Sequence, residues 1–104
     1  MNVAFQLTPL AISDLDNIWW FIADDSREAA DKVELEIVDT CRRLAKHPLM
    51  GTQRRDVTSL PLRFWTVSKY SNYVIVYRPE TKPLQVIAIL HGRRDLKSIL
   101  QGRA

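Results

Sequence analysis

Residues 73–91 read YVIVYRPETKPLQVIAILH, and they set the architecture of the chain. Two runs rich in β-branched and aromatic residues, Tyr73–Tyr77 and Leu84–His91, flank a turn at Arg78–Pro83. Such runs favour strands, and the connection is too short for the crossover that parallel strands need. The stretch therefore predicts two neighbouring antiparallel strands.

Two further strands are predicted on the N-terminal side of this pair. Leu62–Val67 is a strand candidate, and Ser71-Asn72 supplies a turn between it and Tyr73–Tyr77. The three strands should form an antiparallel meander. Val3–Leu7, near the start of the chain, is short and partly alternating, which predicts one more strand.

The first of two predicted helices starts at Thr8, a suitable N-cap, with Pro9 in the first helical position. Its apolar residues recur at spacings of three and four, which places them on one face. That inner face consists of Ala11, Leu15, Ile18, Trp19 and Ile22. Asp14, Asp16 and Asn17 are expected mostly on the opposite side.

A second helix follows after a short break, capped by either Asp25 or Ser26. Its apolar positions are Ala30, Val33, Ile37, Cys41 and Leu44, and His47-Pro48 ends it. Helices joined by so short a break should form an antiparallel hairpin. A loop from Pro48 to Pro61 comes next, and Asp95 could cap a short terminal helix reaching Leu100.

The element order is therefore β-αα-βββ-(α), an α+β fold in which a helical hairpin packs on an antiparallel sheet. The length of 104 residues suits a single domain spanning 1–104. No apolar run approaches the roughly 20 residues of a membrane span, and no secretory leader is recognisable. We therefore expect a cytoplasmic protein with no membrane association.

Metal and cofactor motifs are missing from the sequence. Cys41 is the single cysteine, its setting among apolar residues favours a buried packing role, and His47 and His91 lie far apart. The three glycines are scattered, so no phosphate loop is indicated. We expect neither a metal site nor a cofactor.

Charge divides the chain into two unlike parts. Residues 1–41 contain two basic and nine acidic residues and so carry −7, whereas residues 42–104 contain thirteen basic and three acidic residues and so carry +10. This polarity suggests a basic face for an anionic partner, either nucleic acid or an acidic protein segment. The alternative is charge that only solvates the surface.

The candidate functional residues form a basic constellation in the second half of the chain. Its binding members are Arg54, Arg55, Arg63, Arg78, Arg93 and Arg94. Arginines can hold phosphates or carboxylates bidentately. His91 could act as a general acid or base, although a structural role is common for a histidine at a strand end. Arg63 and Arg78 could instead pair across strands with a neighbour such as Glu80.

Three pieces of the sequence, in this order, resemble the ParE branch of the ParE/RelE toxin superfamily, over about residues 3–100. They are Ala11-x-x-Asp14-Leu15-x-x-Ile18, then Pro48-x-Met50-Gly51, and finally Tyr73-Val74-Ile75-Val76-Tyr77-Arg78 leading to Ile89-Leu90-His91-Gly92-Arg93-Arg94-Asp95. The resemblance implies the toxin of a type II toxin–antitoxin system. It agrees with the element order predicted from the residues alone.

Within that superfamily the resemblance implies one of two activities. ParE-like members inhibit DNA gyrase, and RelE-like members are ribosome-dependent mRNA endonucleases. The RNases resemble one another in having an arginine just ahead of the third strand, where Tyr73 stands here, and an aromatic residue near the C-terminus, which is missing after Arg94. The resemblance therefore favours a gyrase inhibitor that is not an enzyme. In the alternative, an mRNA endonuclease, His91, Arg93 and Arg94 would be catalytic.

The resemblance also implies partners. They are a cognate antitoxin, DNA gyrase as target (ribosome and mRNA in the alternative), and operator DNA reached only through the antitoxin. An antitoxin tail would place apolar side chains in grooves and acidic ones on the basic face.

Overall fold

The computed structural model describes residues 3–103 of the chain. Its elements follow the predicted order and include the short terminal helix. They are β1 (Phe5–Leu7), α1 (Pro9–Ala23), α2 (Arg27–Lys46), β2 (Arg63–Thr66), β3 (Tyr73–Arg78), β4 (Leu84–His91) and α3 (Leu96–Gln101). The predicted α+β fold is confirmed. None of the helices between residues 3 and 103 has the length and apolar character that crossing a bilayer requires.

The sheet has the strand order β1-β4-β3-β2. The meander of β2, β3 and β4 is antiparallel, as predicted. β1 joins the other side of β4 in parallel, with Phe5 opposite Leu84 and Leu7 opposite Val86, so the sheet is mixed rather than antiparallel throughout. The helical hairpin supplies the long crossover that parallel pairing needs.

Side-chain caps fix where the helices begin. Thr8 accepts a hydrogen bond from the Ala11 amide and Pro9 occupies the first turn of α1, as predicted. Ser26, rather than Asp25, caps α2 by accepting from the Ala29 amide. Capping of this kind satisfies amide donors that have no partner inside the helix. The two helices consequently start at defined positions and pack as an antiparallel pair.

One face of the sheet packs on the helical hairpin. The predicted inner positions of α2 are all buried there against β3 and β4. The buried residues are Ala30, Val33, Ile37, Cys41 and Leu44 of α2, with Ile75, Tyr77, Val86 and Ile89 of the sheet. Burying a large aliphatic side chain stabilises the fold by about 1.5–3 kcal/mol. This face therefore supplies much of the stability.

The opposite face of the sheet carries a second apolar cluster, covered by α3 and the end of the long loop. Val74, Val76 and Leu90 pack there against Leu96 and Leu100. A β-bulge in β4 adjusts the pattern, because Val76 pairs with Ala88 and Tyr77 with Val86, leaving Ile87 without a partner. Ile87 and Ala88 consequently face the same side of the sheet, toward α3.

Tyr77 attaches the start of the long loop to the sheet. Its hydroxyl donates to the Pro48 carbonyl at 2.8 Å and accepts from the Gly51 amide at 2.9 Å. A Cβ at position 51 would lie 2.5 Å from the Tyr77 hydroxyl, so only glycine fits. The Pro48-x-Met50-Gly51 turn is therefore a docking point for one buried tyrosine, and burial raises the pKa of that tyrosine.

Candidate functional site

His91 lies at the end of β4, opposite Tyr73 of β3, and its ring meets the tyrosine ring edge-on at 5.8 Å. The His91 Nδ1 atom accepts a hydrogen bond from the Arg93 amide at 3.1 Å. A neutral ring that accepts at Nδ1 carries its proton on Nε2. In this arrangement Nδ1 is occupied by a backbone donor.

A groove of about 280 Å³ opens beside His91, between α1 and the end of β4. Its apolar walls include Ile18, Tyr73 and Phe21, and the Phe21 side chain is 78% exposed. Arg94 contributes a cationic group at the rim. An exposed aromatic beside an apolar groove is a feature of protein-binding surfaces.

Asp14 also lines this groove, and its predicted position on the outer side of α1 is wrong. The carboxylate is only 7% exposed and accepts from the Ile89 amide at 3.0 Å. Arg103 binds both of its oxygens, with Arg103 Nη2 lying 2.9 Å from Asp14 Oδ1. These polar partners explain how an aspartate can be buried on a helix that packs on the sheet.

Arg103 joins α1, β4 and the C-terminal segment. Besides Asp14, its guanidinium donates to the Ile87 carbonyl at 3.2 Å. The pairing of β1 with β4 ends at Val86. Beyond that residue, Asp14 and Arg103 provide hydrogen-bond partners for backbone groups on the edge of β4. The hydrogen bonds that Arg103 donates to Asp14 raise the pKa of the guanidinium above its already high ordinary value. We call Asp14, Arg103 and the β4 groups that they bind the edge clasp.

Sequence reasoning missed the edge clasp, although Asp14 stands in one of the three family-like pieces. Its charge assigned Asp14 to the polar face, whereas its spacing, three residues after Ala11 and four before Ile18, is that of the inner face. Its partners lie 75 and 89 residues away in sequence. The available signal was the arginine near the C-terminus, a residue type able to neutralise a buried carboxylate.

Arg63 and Arg78 lie at the other end of the sheet from His91. Arg63 is opposite Tyr77, whereas His91 is opposite Tyr73. Arg78 follows Tyr73 by five positions on β3, a separation of roughly 16 Å along a strand. The constellation predicted from the sequence is therefore split between the two ends of the sheet.

Arg63 binds the protein itself rather than facing solvent freely. Its Nη1 atom donates to the Gly51 carbonyl at 2.6 Å and to the Leu49 carbonyl at 3.4 Å. Among residues 3–103, neither Arg63 nor Arg78 forms an ion pair with Glu80, the cross-strand alternative raised from the sequence. Arg63 instead supports the turn that Tyr77 holds.

Arg54 and Arg55 belong to the long loop near α3. Arg54 stacks over Phe64 at 5.7 Å and pairs with Asp56 at 2.9 Å, which lowers the pKa of that carboxyl. Arg55 instead lines a cleft of about 430 Å³ together with Lys97 of α3. The two adjacent arginines therefore meet different surroundings.

Arg93 and Arg94 form an exposed turn between β4 and α3. The neighbouring Asp95 caps α3 by accepting from the Ser98 amide and hydroxyl, and these bonds lower the pKa of its carboxyl. Asp95 is thus engaged by α3. Neither arginine forms an ion pair with any residue that the structure describes.

Nucleophilic and metal chemistry find little support in the described part of the chain. Cys41 is buried, as predicted, and burial raises the pKa of its thiol to about 12, so no thiolate is present near neutral pH. Between residues 3 and 103, no three histidine, cysteine, aspartate or glutamate side chains come together in a way that could hold a metal ion.

Comparisons with known proteins agree with this architecture. The profile of the family described as the ParE toxin of the type II toxin–antitoxin system parDE matches residues 5–96. A solved structure of the chromosomal ParDE TA system from P. aeruginosa is similar in fold, with a TM-score of 0.68 and 23% sequence identity. The match covers 86% of this chain and 95% of that one. None of the curated proteins compared with the chain matches it.

Proposed function

The chain belongs to the ParE toxin family of type II toxin–antitoxin systems, and from this premise we propose that it inhibits DNA gyrase by binding, with no chemistry of its own. One observation carries the proposal beyond the family. Of the candidate basic residues, Arg93 and Arg94 adjoin His91, whereas Arg63 and Arg78 lie roughly 13 and 16 Å along the sheet from it, so the set is not gathered into one site.

The surroundings of His91 support a binding protein rather than a nuclease. Phosphodiester cleavage needs a base, an acid and donors that stabilise the charged intermediate. The Nδ1 atom of His91 is occupied by the Arg93 amide, and the ring rests against Tyr73. The ring therefore has a positional role in the turn that carries Arg93 and Arg94.

A supercoiling assay with relaxed plasmid and purified gyrase tests the proposal. We expect inhibition at comparable molar amounts of toxin, together with trapped cleaved DNA. His91→Ala should inhibit about as well, because no step uses the imidazole. The opposite result would be folded toxin that does not inhibit gyrase but cleaves mRNA on ribosomes, at a rate that His91→Ala lowers by orders of magnitude. The protein would then be an endonuclease.

We also propose that the cognate antitoxin docks in the groove between α1 and the end of β4. The apolar walls at Ile18, Phe21 and Tyr73 suit apolar anchors of an extended tail, and Arg94 at the rim suits an acidic residue of that tail. The groove thus offers both kinds of contact in one place.

Binding of the cognate antitoxin to toxin variants tests the groove. Phe21→Ala should weaken the complex by tenfold or more, because a buried aromatic anchor is commonly worth about 2 kcal/mol. Leu49→Ala is the matched control, since Leu49 is also an exposed apolar residue (70%) but lies near the Tyr77 end of the sheet. If both changes weaken the complex equally, or if neither change weakens it, the antitoxin docks elsewhere.

A further inference from the structure

A polar cleft separates the loop around Arg55 from α3, on the side of the sheet opposite the helical hairpin. Arg55 and Lys97 both line it, and its volume is about 430 Å³. Thr58, Ser59 and Gln101 add hydroxyl and amide groups, and the rest of the lining is the Asp56 carboxylate with the apolar residues Val57, Leu60 and Leu100. We call this the α3 cleft.

The positive charge around the α3 cleft is not neutralised by the fold. Arg55 and Lys97 make no ion pair with residues 3–103, and neither do Arg93 and Arg94 of the turn that precedes α3. The two carboxylates close to them in sequence are occupied, because Asp56 pairs with Arg54 and Asp95 caps α3. Four cations from two separate segments are therefore available to an anionic ligand.

The chemistry of this lining differs from that of the groove at α1. Side chains that bind nucleic-acid phosphates are arginine, lysine, serine, threonine and glutamine, all of which occur here. Peptide tails are held mainly by apolar anchors. In the α3 cleft Leu100 is buried and Val57 half-buried, whereas the groove at α1 presents the exposed ring of Phe21. A repeating polyanion fits the α3 cleft better than a protein tail does.

We propose that the α3 cleft, with Arg93 and Arg94, binds the phosphate backbone of duplex DNA. The inference rests on the proposed function in one respect: with gyrase as the target, the DNA that the toxin contacts is the duplex that gyrase holds. Backbone binding of this kind is independent of base sequence and strongly dependent on salt. The walls of the antitoxin groove lie on the α1 side of β4, and Arg94 at its rim is shared by the two proposed surfaces.

Binding of a short fluorescein-labelled duplex, followed by anisotropy at several salt concentrations, tests the inference. Four phosphate contacts predict a slope of log K against log salt of roughly −3 to −4. Arg55→Gln with Lys97→Gln should reduce the steepness of that slope by about 2. The control is Lys32→Gln with Arg42→Gln, which removes the same charge from α2, where both residues pair with acidic neighbours.

The outcomes separate the inference from its alternatives. If the slope becomes less steep by the same amount in both double variants, DNA is attracted by net charge alone, and the α3 cleft is not its binding site. Poly-glutamate is the second probe. If it displaces the labelled duplex from the toxin at low concentration, and if its own binding depends on Arg55 and Lys97 alone, the cleft belongs to an acidic protein segment instead. Gyrase inhibition by a toxin that binds no DNA would sink the inference while leaving the proposed function intact.

Discussion

Arg103 and Arg93 lie close together in sequence and in opposite environments. Arg103 is largely buried, with its guanidinium bound to both oxygens of Asp14 and to the Ile87 carbonyl. Arg93 is exposed, and its side chain forms no hydrogen bond with any residue between 3 and 103. One arginine is part of the folded structure, and the other is available to a partner.

The difference shows that the number of protein acceptors, rather than residue type, separates the arginines that hold the fold from the exposed ones. A guanidinium taken out of water needs acceptors for its donors. Arg103 has three such acceptor atoms, Arg63 has two carbonyls, Arg54 has one carboxylate, and Arg93 has none among the described residues. The effects of substitution should decrease in the same order.

The largest effect is expected at the edge clasp. Asp14→Ala leaves the Arg103 charge uncompensated and the Ile89 amide without its acceptor, so the free energy of unfolding should fall by about 3–5 kcal/mol. Urea denaturation measures the change. The double variant with Arg103→Ala should recover part of the loss; strictly additive effects would mean that the two side chains are not coupled.

Arg63 should give an intermediate effect. Arg63→Ala removes the donors to the Gly51 and Leu49 carbonyls and should cost about 1–3 kcal/mol of unfolding free energy. The Nε atom of Arg63 is buried without a partner among the described residues, which favours the lower part of that range. Arg63→Gln is the matched control and should retain part of the stability. If Arg63→Ala lowers the free energy of unfolding as much as Asp14→Ala does, the ranking by number of protein acceptors is wrong.

Arg54 should act through the titration of its partner. The hydrogen bond from Arg54 lowers the pKa of Asp56 below 3.8, so the pair favours folding above that value. The contribution is lost as the pH falls through the lowered pKa. In Arg54→Gln, the Asp56 carboxyl followed by NMR should titrate at a higher pH. An unchanged midpoint would mean that the pair does not form in solution.

The smallest effect is expected at the exposed arginines. Arg55→Gln and Arg93→Gln should each change the free energy of unfolding by no more than about 0.5 kcal/mol, because neither side chain holds another part of the fold. Thermal unfolding is a sufficient measurement. A destabilisation above about 1 kcal/mol would make these residues structural and would weaken the case for a DNA-binding cleft.

The elements of the fold could be predicted because their signals are local. Apolar spacing predicted the inner face of α2 and, apart from Trp19, that of α1, and the composition of residues 73–91 predicted two paired strands. The partner of β1 could not be predicted in this way, since it lies across the whole helical hairpin. The choice between Asp25 and Ser26 depended on backbone geometry that composition does not encode.

The candidate residues could be named from the sequence, but their grouping could not. Strand register decides that Arg78 lies opposite Gln85 while His91 lies opposite Tyr73, and a shift in register would have moved them. Asp14 was misplaced for a related reason. Residue type alone places a carboxylate on the solvent side of a helix, whereas its burial depends on hydrogen-bond donors elsewhere in the chain.

The edge clasp also has a consequence for the order in which the chain is made. Asp14 is synthesised early and its partner 89 residues later, a delay of roughly 4–18 s at ordinary translation rates of about 5–20 residues per second. Until Arg103 emerges, the Asp14 carboxylate has no cation to accompany it into the interior. The nascent toxin consequently cannot close the edge of β4 until nearly all of residues 3–103 have been synthesised.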